Sequence, residues 1–528
     1  VSRIAVLDST LRDGAQGEGI SFSVTDKLNI VRALDDLGVD LIEAGNPGSN
    51  PKDLDFFKEA RGLALKNACL AAFGSTRRRG VKCEEDDQLA SLVGALTPVV
   101  VIFGKSWDLH VKEVLKVSLD ENLAMIRDTV AYLKAAGRRV VYDAEHFFDG
   151  AAADEEYAFK TLRAAAEAGA ECLVLCDTNG GSLPDRVGEL ASKAARELGL
   201  PVGIHAHNDA GLAIANSLAA VKAGAVHVQG TLVGFGERCG NANLSTLVAD
   251  LVFKMKLECL APDSLPKLAR ITRRIAEIAN VNFDEGMPYV GMKAFAHKAG
   301  MHVDAVLKTP LSFEHVDPES VGNERRILAS EVGGRSVILE RVKKLDPTAT
   351  KESPLVAQVV KRLKEMERLG YQFEGADASL DLLMRKAAGR YKPFFELSHY
   401  RTIGEPPSDG GFSAQAMVKV RVDGEVSLSA AEGDGPVHAL DLALRQALEK
   451  FYPSLASMRL ADFKVRVLDT KSATAATVRV LIESTDGEAA WTTVGVSTDI
   501  IEASWIALVD SIEYKLISDI ERRYKPYL

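Results

Sequence analysis

Short apolar runs rich in β-branched residues recur along the first half of the chain, each followed by a longer amphipathic stretch. They fall at 4–7, 41–44, 70–73, 99–103, 140–142, 172–176, 202–204 and 226–229. Runs this short and this continuously apolar read as strands buried on both faces. Between them, apolar positions recur at helical spacing over 24–37, 123–136, 155–168, 186–198 and 212–223. Gly38, Gly137, Gly169, Gly199 and Gly224 follow the ends of these segments, where a helix commonly stops on a left-handed residue. Strand-then-helix units repeated eight times over about 250 residues predict a (β/α)8 barrel, the TIM barrel. A doubly wound sheet has fewer strands and opens on a Gly-rich phosphate loop. No such loop follows the first run.

Beyond residue 265 the alternation fades. Helical segments and a polar, irregular stretch at 309–326 predict a helical linker region over 266–403. A Gly-, Pro- and Ser-rich stretch at 404–411 marks the best boundary. The last part changes rhythm: strand-like alternation at 416–422 and 425–430, a helix at 438–449, strands at 463–468, 477–484 and 489–497, then a helix at 501–516. This predicts a C-terminal α+β domain with a duplicated ββα unit, whose two halves would enclose a cleft suited to an effector or a dimer contact. The expected domains are therefore 1–265, 266–403 and 404–528.

Composition narrows the partners. Of 528 residues, 47% are hydrophobic and 26% charged, as in globular proteins. The net charge of −10 argues against nucleic acid, whose phosphates call for basic surfaces. No apolar run approaches the ~18 residues of a membrane span, and 1–11 reads as a strand rather than a signal peptide. Six cysteines are scattered at 69, 83, 172, 176, 239 and 259, which suits reduced thiols and a cytoplasmic home. Cys172 and Cys176 share one side of an apolar run; buried packing is favoured over a zinc pair.

In such barrels the chemistry lies at the carboxyl ends of the strands. Here those ends read Asp8, Glu43, Gly74-Ser75, Lys105, Asp143-Ala144-Glu145, Asp177-Thr178, His205-Ala206-His207 and Thr231. His205 and His207, two apart on a strand, point the same way, and neutral imidazole is a common metal ligand. Asp13 follows the first strand and Asn241 the eighth, and these strands are neighbours in a closed barrel. Asp13, His205, His207 and Asn241 would then form a mixed N/O set suited to Mg, Mn, Co or Zn. Arg12, beside the expected ligand Asp13, calls for an anion between guanidinium and metal, hence an oxyanionic substrate. Thr178 could bind a carboxylate and Glu145 could relay a proton, or both could stand behind the reacting groups. His302 with Asp304 is either a general base with its orienting acid or an ordinary polar pair.

Together these motifs resemble the metal-dependent, pyruvate carboxyltransferase-like barrels, and within them the α-isopropylmalate, homocitrate and citramalate synthase family. The residues that carry the resemblance are Asp8-Ser-Thr-Leu-Arg-Asp-Gly14, Glu43-Ala-Gly45, His205-Ala-His207-Asn-Asp-Ala-Gly-Leu-Ala213 and Gly236-Glu-Arg-Cys-Gly-Asn-Ala242. Phe103-Gly-Lys-Ser-Trp-Asp-Leu-His-Val111 and Asp317-Pro-Glu-Ser-Val-Gly-Asn-Glu-Arg326 look like the citramalate branch. The resemblance implies a Claisen-type condensation of acetyl-CoA with pyruvate at a divalent ion. Arg12 would polarise the keto group, Thr178 would take the carboxylate, and His302, oriented by Asp304, would deprotonate the acetyl methyl. It further implies a homodimer, a role in branched-chain amino acid synthesis, and a regulatory tail that binds an amino acid, plausibly isoleucine. Isopropylmalate and homocitrate synthases are the near alternatives, followed by a hydroxyacyl-CoA lyase. The family's Tyr shortly after the catalytic His has no counterpart: Phe313 lacks a hydroxyl, Tyr289 or water are the stand-ins, and the role is unassigned.

Overall fold

The computed structural model describes residues 3–524 apart from 262, 282, 299, 328–337, 340, 344, 351, 374, 405–413, 469–475 and 488. The expected boundary stretch at 404–411 lies outside the described residues from 405 onward.

Eight parallel strands close a barrel in sequence order: β1 (Ala5–Asp8), β2 (Leu41–Glu43), β3 (Cys69–Ser75), β4 (Val99–Lys105), β5 (Arg139–Glu145), β6 (Cys172–Asp177), β7 (Val202–Ala206) and β8 (His227–Gly230). The seam pairs Leu7 of β1 with Gln229 of β8. Each strand is followed by a helix, as the pattern predicts. The first, Val24–Leu37, starts on a capping box: Asp26 N–H donates to Ser23 Oγ, and Ser23 N–H donates to the Asp26 carboxylate. It stops at Gly38, in the left-handed region at φ 82°.

Alternation along the strands sorts the side chains. On β6, Leu173 and Leu175 join the shell of packed helices, whereas Cys172, Val174 and Cys176 fill the barrel interior with Leu7, Val101 and Val141. The two cysteines are thus packing residues, and burial pushes both thiols upward. On the same interior parity lie Glu43, Asp143, His205 and Gln229, all buried. The topmost interior layer is therefore polar, at the carboxyl ends of the strands.

The chain divides into two compact units. The first is the barrel up to Phe295 together with His315–Arg325; the second is Ala296–Glu314 and the chain from Arg326 on. In the second, Glu396–Gly404, Ala414–Val422 and Glu425–Gly433 form a three-stranded antiparallel sheet followed by the helix Pro436–Glu449. Arg459–Val467, Val478–Thr485 and Ala490–Ser497 form another, followed by Ile500–Tyr524. The duplication is present, but the first copy gains a strand. Glu396–Gly404 is exposed along most of its length, so it lacks the alternation by which a strand is read. Val418, Val420, Leu440 and Leu444 of the first copy and Val480, Ile482, Leu508 and Ile512 of the second share one core.

Candidate metal centre and active site

Loop geometry after β8 brings the fourth expected ligand in. Asn208 N–H donates to Gly240 O, and Ala242 N–H to Ala206 O, so 240–242 runs antiparallel to the end of β7 and sets Asn241 against His207. Two glycines make this path possible. A Cβ on Gly240 (φ 84°) would lie 2.0 Å from Gly234 O, and one on Gly236 (φ 151°) would lie 2.2 Å from Asn241 Nδ2.

Asp13, His205 and His207 converge as the sequence predicts. His205 Nε2 and His207 Nε2 are 3.3 Å apart, and they lie 3.5 and 3.8 Å from Asp13 Oδ2. Such a triangle has its corners about 2 Å from a common centre, the bond length of histidine and carboxylate ligands. Asn241 Nδ2 donates to Asp13 Oδ1 at 3.0 Å, while its Oδ1 is buried with no hydrogen-bond partner. Burial pushes the His205 imidazole down to about 3 and lowers that of His207, so both are neutral at pH 7. Burial would raise Asp13, but Arg12 and the imidazoles outweigh it and hold the carboxylate below its usual range. Two imidazole lone pairs and a carboxylate converging inside a protein fit a divalent cation, and Asn241, whose amide nitrogen is the atom that meets Asp13, adds an unpartnered oxygen beside them.

The imidazoles are aimed from behind. His205 Nδ1 lies 3.0 Å from Gln229 Oε1, and Gln229 Nε2 donates to Asp143 Oδ1 at 2.9 Å. With its Nδ1 proton given to Gln229, His205 presents the Nε2 lone pair to the cluster. Burial, with Glu43 close by, pushes the Asp143 carboxyl up to about 8. Neither Gln229 nor Asp143 was expected as a site residue. Parity was the available signal for Gln229, which sits two residues before Thr231, the apparent end of the strand.

Arg12 is held by two carboxylates of the protein itself. Its Nε donates to Glu43 Oε2 at 2.6 Å and its Nη1 to Asp13 Oδ2 at 2.9 Å, and the guanidinium carbon lies 3.7 Å from the Phe73 ring centre. Phe73 in turn stacks on Phe103 at 5.2 Å. A cavity of about 280 Å³ is bounded by these two rings and by Arg12, Asp13, Glu145, Thr178, His205 and His207. Glu145 is ion-paired with Lys105. Thr178 Oγ1 accepts from His146 N–H at 2.8 Å, leaving its own proton to donate. His146 itself has left-handed backbone, φ 56°.

His302 and Asp304 lie in the second unit, on the helix Gly300–Lys308. His302 is exposed and stacks on Phe313 at 4.2 Å. Residues two apart on a helix do not face each other, and the Asp304 carboxylate accepts from Lys308 at 2.6 Å. The helix therefore does not supply the orienting contact expected of Asp304. Tyr289 donates its hydroxyl to Asp250 at 2.6 Å in the first unit, which commits it elsewhere.

Comparison with known proteins adds an independent line. The HMGL-like family profile matches residues 3–272, a homocitrate synthase post-HMGL domain-like profile 289–370, and the LeuA allosteric (dimerisation) domain 374–516. The (R)-citramalate synthase of Geobacter sulfurreducens is 50% identical over 517 residues, covering 98% of either chain. That of Synechocystis is 51% identical over 521 residues, covering 96% of this chain and 95% of its own. A 2-isopropylmalate synthase of Methanocaldococcus jannaschii is 30% identical over 525 residues, covering 98% and 96%.

Proposed function

The chain belongs to the (R)-citramalate synthase family of HMGL-like barrels, and on that premise we propose that it condenses acetyl-CoA with pyruvate and water to give (R)-citramalate and CoA. The observation that carries this reading is the buried Asp13–His205–His207 cluster, opening with Arg12 on a small cavity walled by Phe73 and Phe103.

Asp13, His205, His207 and Asn241 would hold a divalent ion: Mg, Mn, Co or Zn. When bound, that ion supplies Lewis acidity to a chelated keto acid. Arg12, fixed by Glu43, places a permanent positive charge where the keto oxygen becomes an alkoxide. Thr178, with its hydroxyl proton free, donates to the pyruvate carboxylate. Phe73 and Phe103 form the apolar wall of the cavity, against which the methyl group of pyruvate would lie. His302 takes a proton from the acetyl methyl, whose carbon then bonds to the keto carbon. Glu145, paired with Lys105, is placed to pass a proton at the cavity wall. Water then cleaves the thioester and CoA leaves as the thiol.

Residues 1–265 form the catalytic barrel in this reading, 266–403 a linker that brings His302, and 404–528 a regulatory domain that binds an amino-acid end product such as isoleucine. The match to the LeuA allosteric (dimerisation) domain supports a homodimer. So do apolar side chains left exposed on its sheets: Val426 and Leu428 in the first, Phe463, Val465 and Val467 in the second. No described helix is long and apolar enough to cross a membrane.

Turnover of the full chain tests the proposal. CoA release should require pyruvate, stop on chelation and return with a divalent metal; His302→Asn should retain metal binding while losing turnover. Preference for 2-oxoisovalerate or 2-oxoglutarate over pyruvate would overturn the substrate assignment.

A further inference from the structure

On the helix Val24–Leu37, Lys27, Ile30, Val31 and Leu34 fall at the spacing of one helical face, and all four are buried. A lysine in an apolar stripe is uncommon, because an ammonium is almost never fully buried unless it is paired. Lys27 is only 3% exposed. Its three N–H groups meet three acceptors: Asp53 Oδ1 at 2.5 Å, Ala44 O at 2.8 Å and Leu11 O at 3.1 Å.

Folding alone does not call for this arrangement. The cost of taking two charges out of water offsets much of their attraction, and apolar residues of similar volume often fold as well or better. An apolar pair, however, could not hold the two carbonyls. Leu11 immediately precedes Arg12, and Ala44 immediately follows Glu43. One ammonium therefore grips the backbone beside each member of the Arg12–Glu43 ion pair. Asp53 extends the grip to a third point. Its Oδ2 accepts from Asn46 N–H at 2.8 Å. The chain passes so close there that a Cβ on Gly45 (φ 144°) would lie 2.4 Å from that oxygen. Arg12 and Asn46 both line the metal-side cavity, whereas Lys27 and Asp53 stand behind its wall.

We infer that Lys27 is a positioning residue for the reaction: with Asp53 it fixes the backbone at Leu11 and Ala44, and so sets the Arg12 guanidinium where the keto oxygen becomes an alkoxide. The inference rests on the proposed function, which gives Arg12 that task. A displacement of about 1 Å at a reacting centre costs on the order of 100-fold in rate, so a clamp one residue away from the guanidinium has leverage on turnover.

The test is the double variant Lys27→Met/Asp53→Asn in the full chain. It removes both buried charges together, and the new amide oxygen still offers Asn46 N–H an acceptor. The melting temperature should stay within a few degrees of the parent's. kcat should fall about 10–100-fold while KM for pyruvate and for acetyl-CoA holds, because Arg12 acts on charge that appears only in the transition state. In an Arg12→Gln background the same two changes should cost no further turnover, since residues acting as a unit are not additive. An unchanged kcat, a further loss in that background, or a variant that melts far below the parent or fails to fold would each overturn the inference, the last because it assigns the pair to positioning rather than stability. Crystal structures of parent and double variant need no turnover, and they separate this inference from the synthase reading. A guanidinium displaced from Glu43 Oε2 supports the clamp, and an Arg12 left in place sinks it, whichever substrate the enzyme takes.

Discussion

Gln229 decides how the metal cluster is presented. It is fully buried, accepting from His205 on one side and donating to Asp143 on the other. Removing that acceptor frees the His205 ring and its tautomer. Gln229→Leu is therefore expected to weaken divalent-metal affinity about 10–100-fold, as other losses of ligand support do, measured by metal titration calorimetry. The convergence of the proposed ligands was legible in the sequence. A His-x-His pair at a strand end and an Asp beyond strand 1 are fixed by period-two geometry and barrel closure alone. Gln229 and Asp143 were not read as site residues, because an amide or carboxylate on an interior face signals nothing until its neighbour across the barrel is known. The pairing of Arg12 with Glu43 on the adjacent strand was not legible, because pairings between strands are invisible in a one-dimensional pattern.

At the scale of elements, the hydrophobic rhythm located all eight barrel strands and the glycine stops of their helices. It failed where exposure erases rhythm, as in Glu396–Gly404. It also misled at Gly300–Lys308: a His and an Asp two apart look paired in a strand or loop, but a helix turns them apart. The segment after β8 is the element on which the metal site hangs. Gly240→Ala would drive a methyl group into Gly234 O and pull Asn241 from Asp13. Turnover should fall about 100-fold, in line with small misplacements at a reacting centre, and metal affinity should fall with it. Gly199 is also left-handed, at φ 63°, but has open space around it and lies at a helix end. Gly199→Ala should lower thermal stability and leave metal affinity unchanged, which separates backbone strain from damage to the site.

At the scale of the whole molecule, each of the two units has its own core. In the second, Glu513 is buried on the helix Ile500–Tyr524, and burial pushes its carboxyl up to about 7. The folded chain thus holds this proton more tightly than the unfolded chain does. Its stabilising effect is complete below pH 4.5 and is lost as the pH rises to about 7. Glu513→Gln should remove that loss. Its melting temperature should exceed the parent's at pH 8, by the equivalent of about 1–3 kcal/mol, and the gap should close by pH 4.5. A gap independent of pH would mean that ionisation at this position is not what limits the fold.

The seam between the first and last barrel strands carries a consequence for how the protein is made. Asp13 and Asn241 stand 228 positions apart and still touch. A ribosome adding roughly 5–20 residues per second leaves the opening strand waiting on the order of 10–45 s for its final neighbour. Throughout that interval the nascent sheet keeps two raw edges and an incomplete ion site, so capture of the proposed ion would come among the last events in the birth of the barrel rather than as a seed around which it grows.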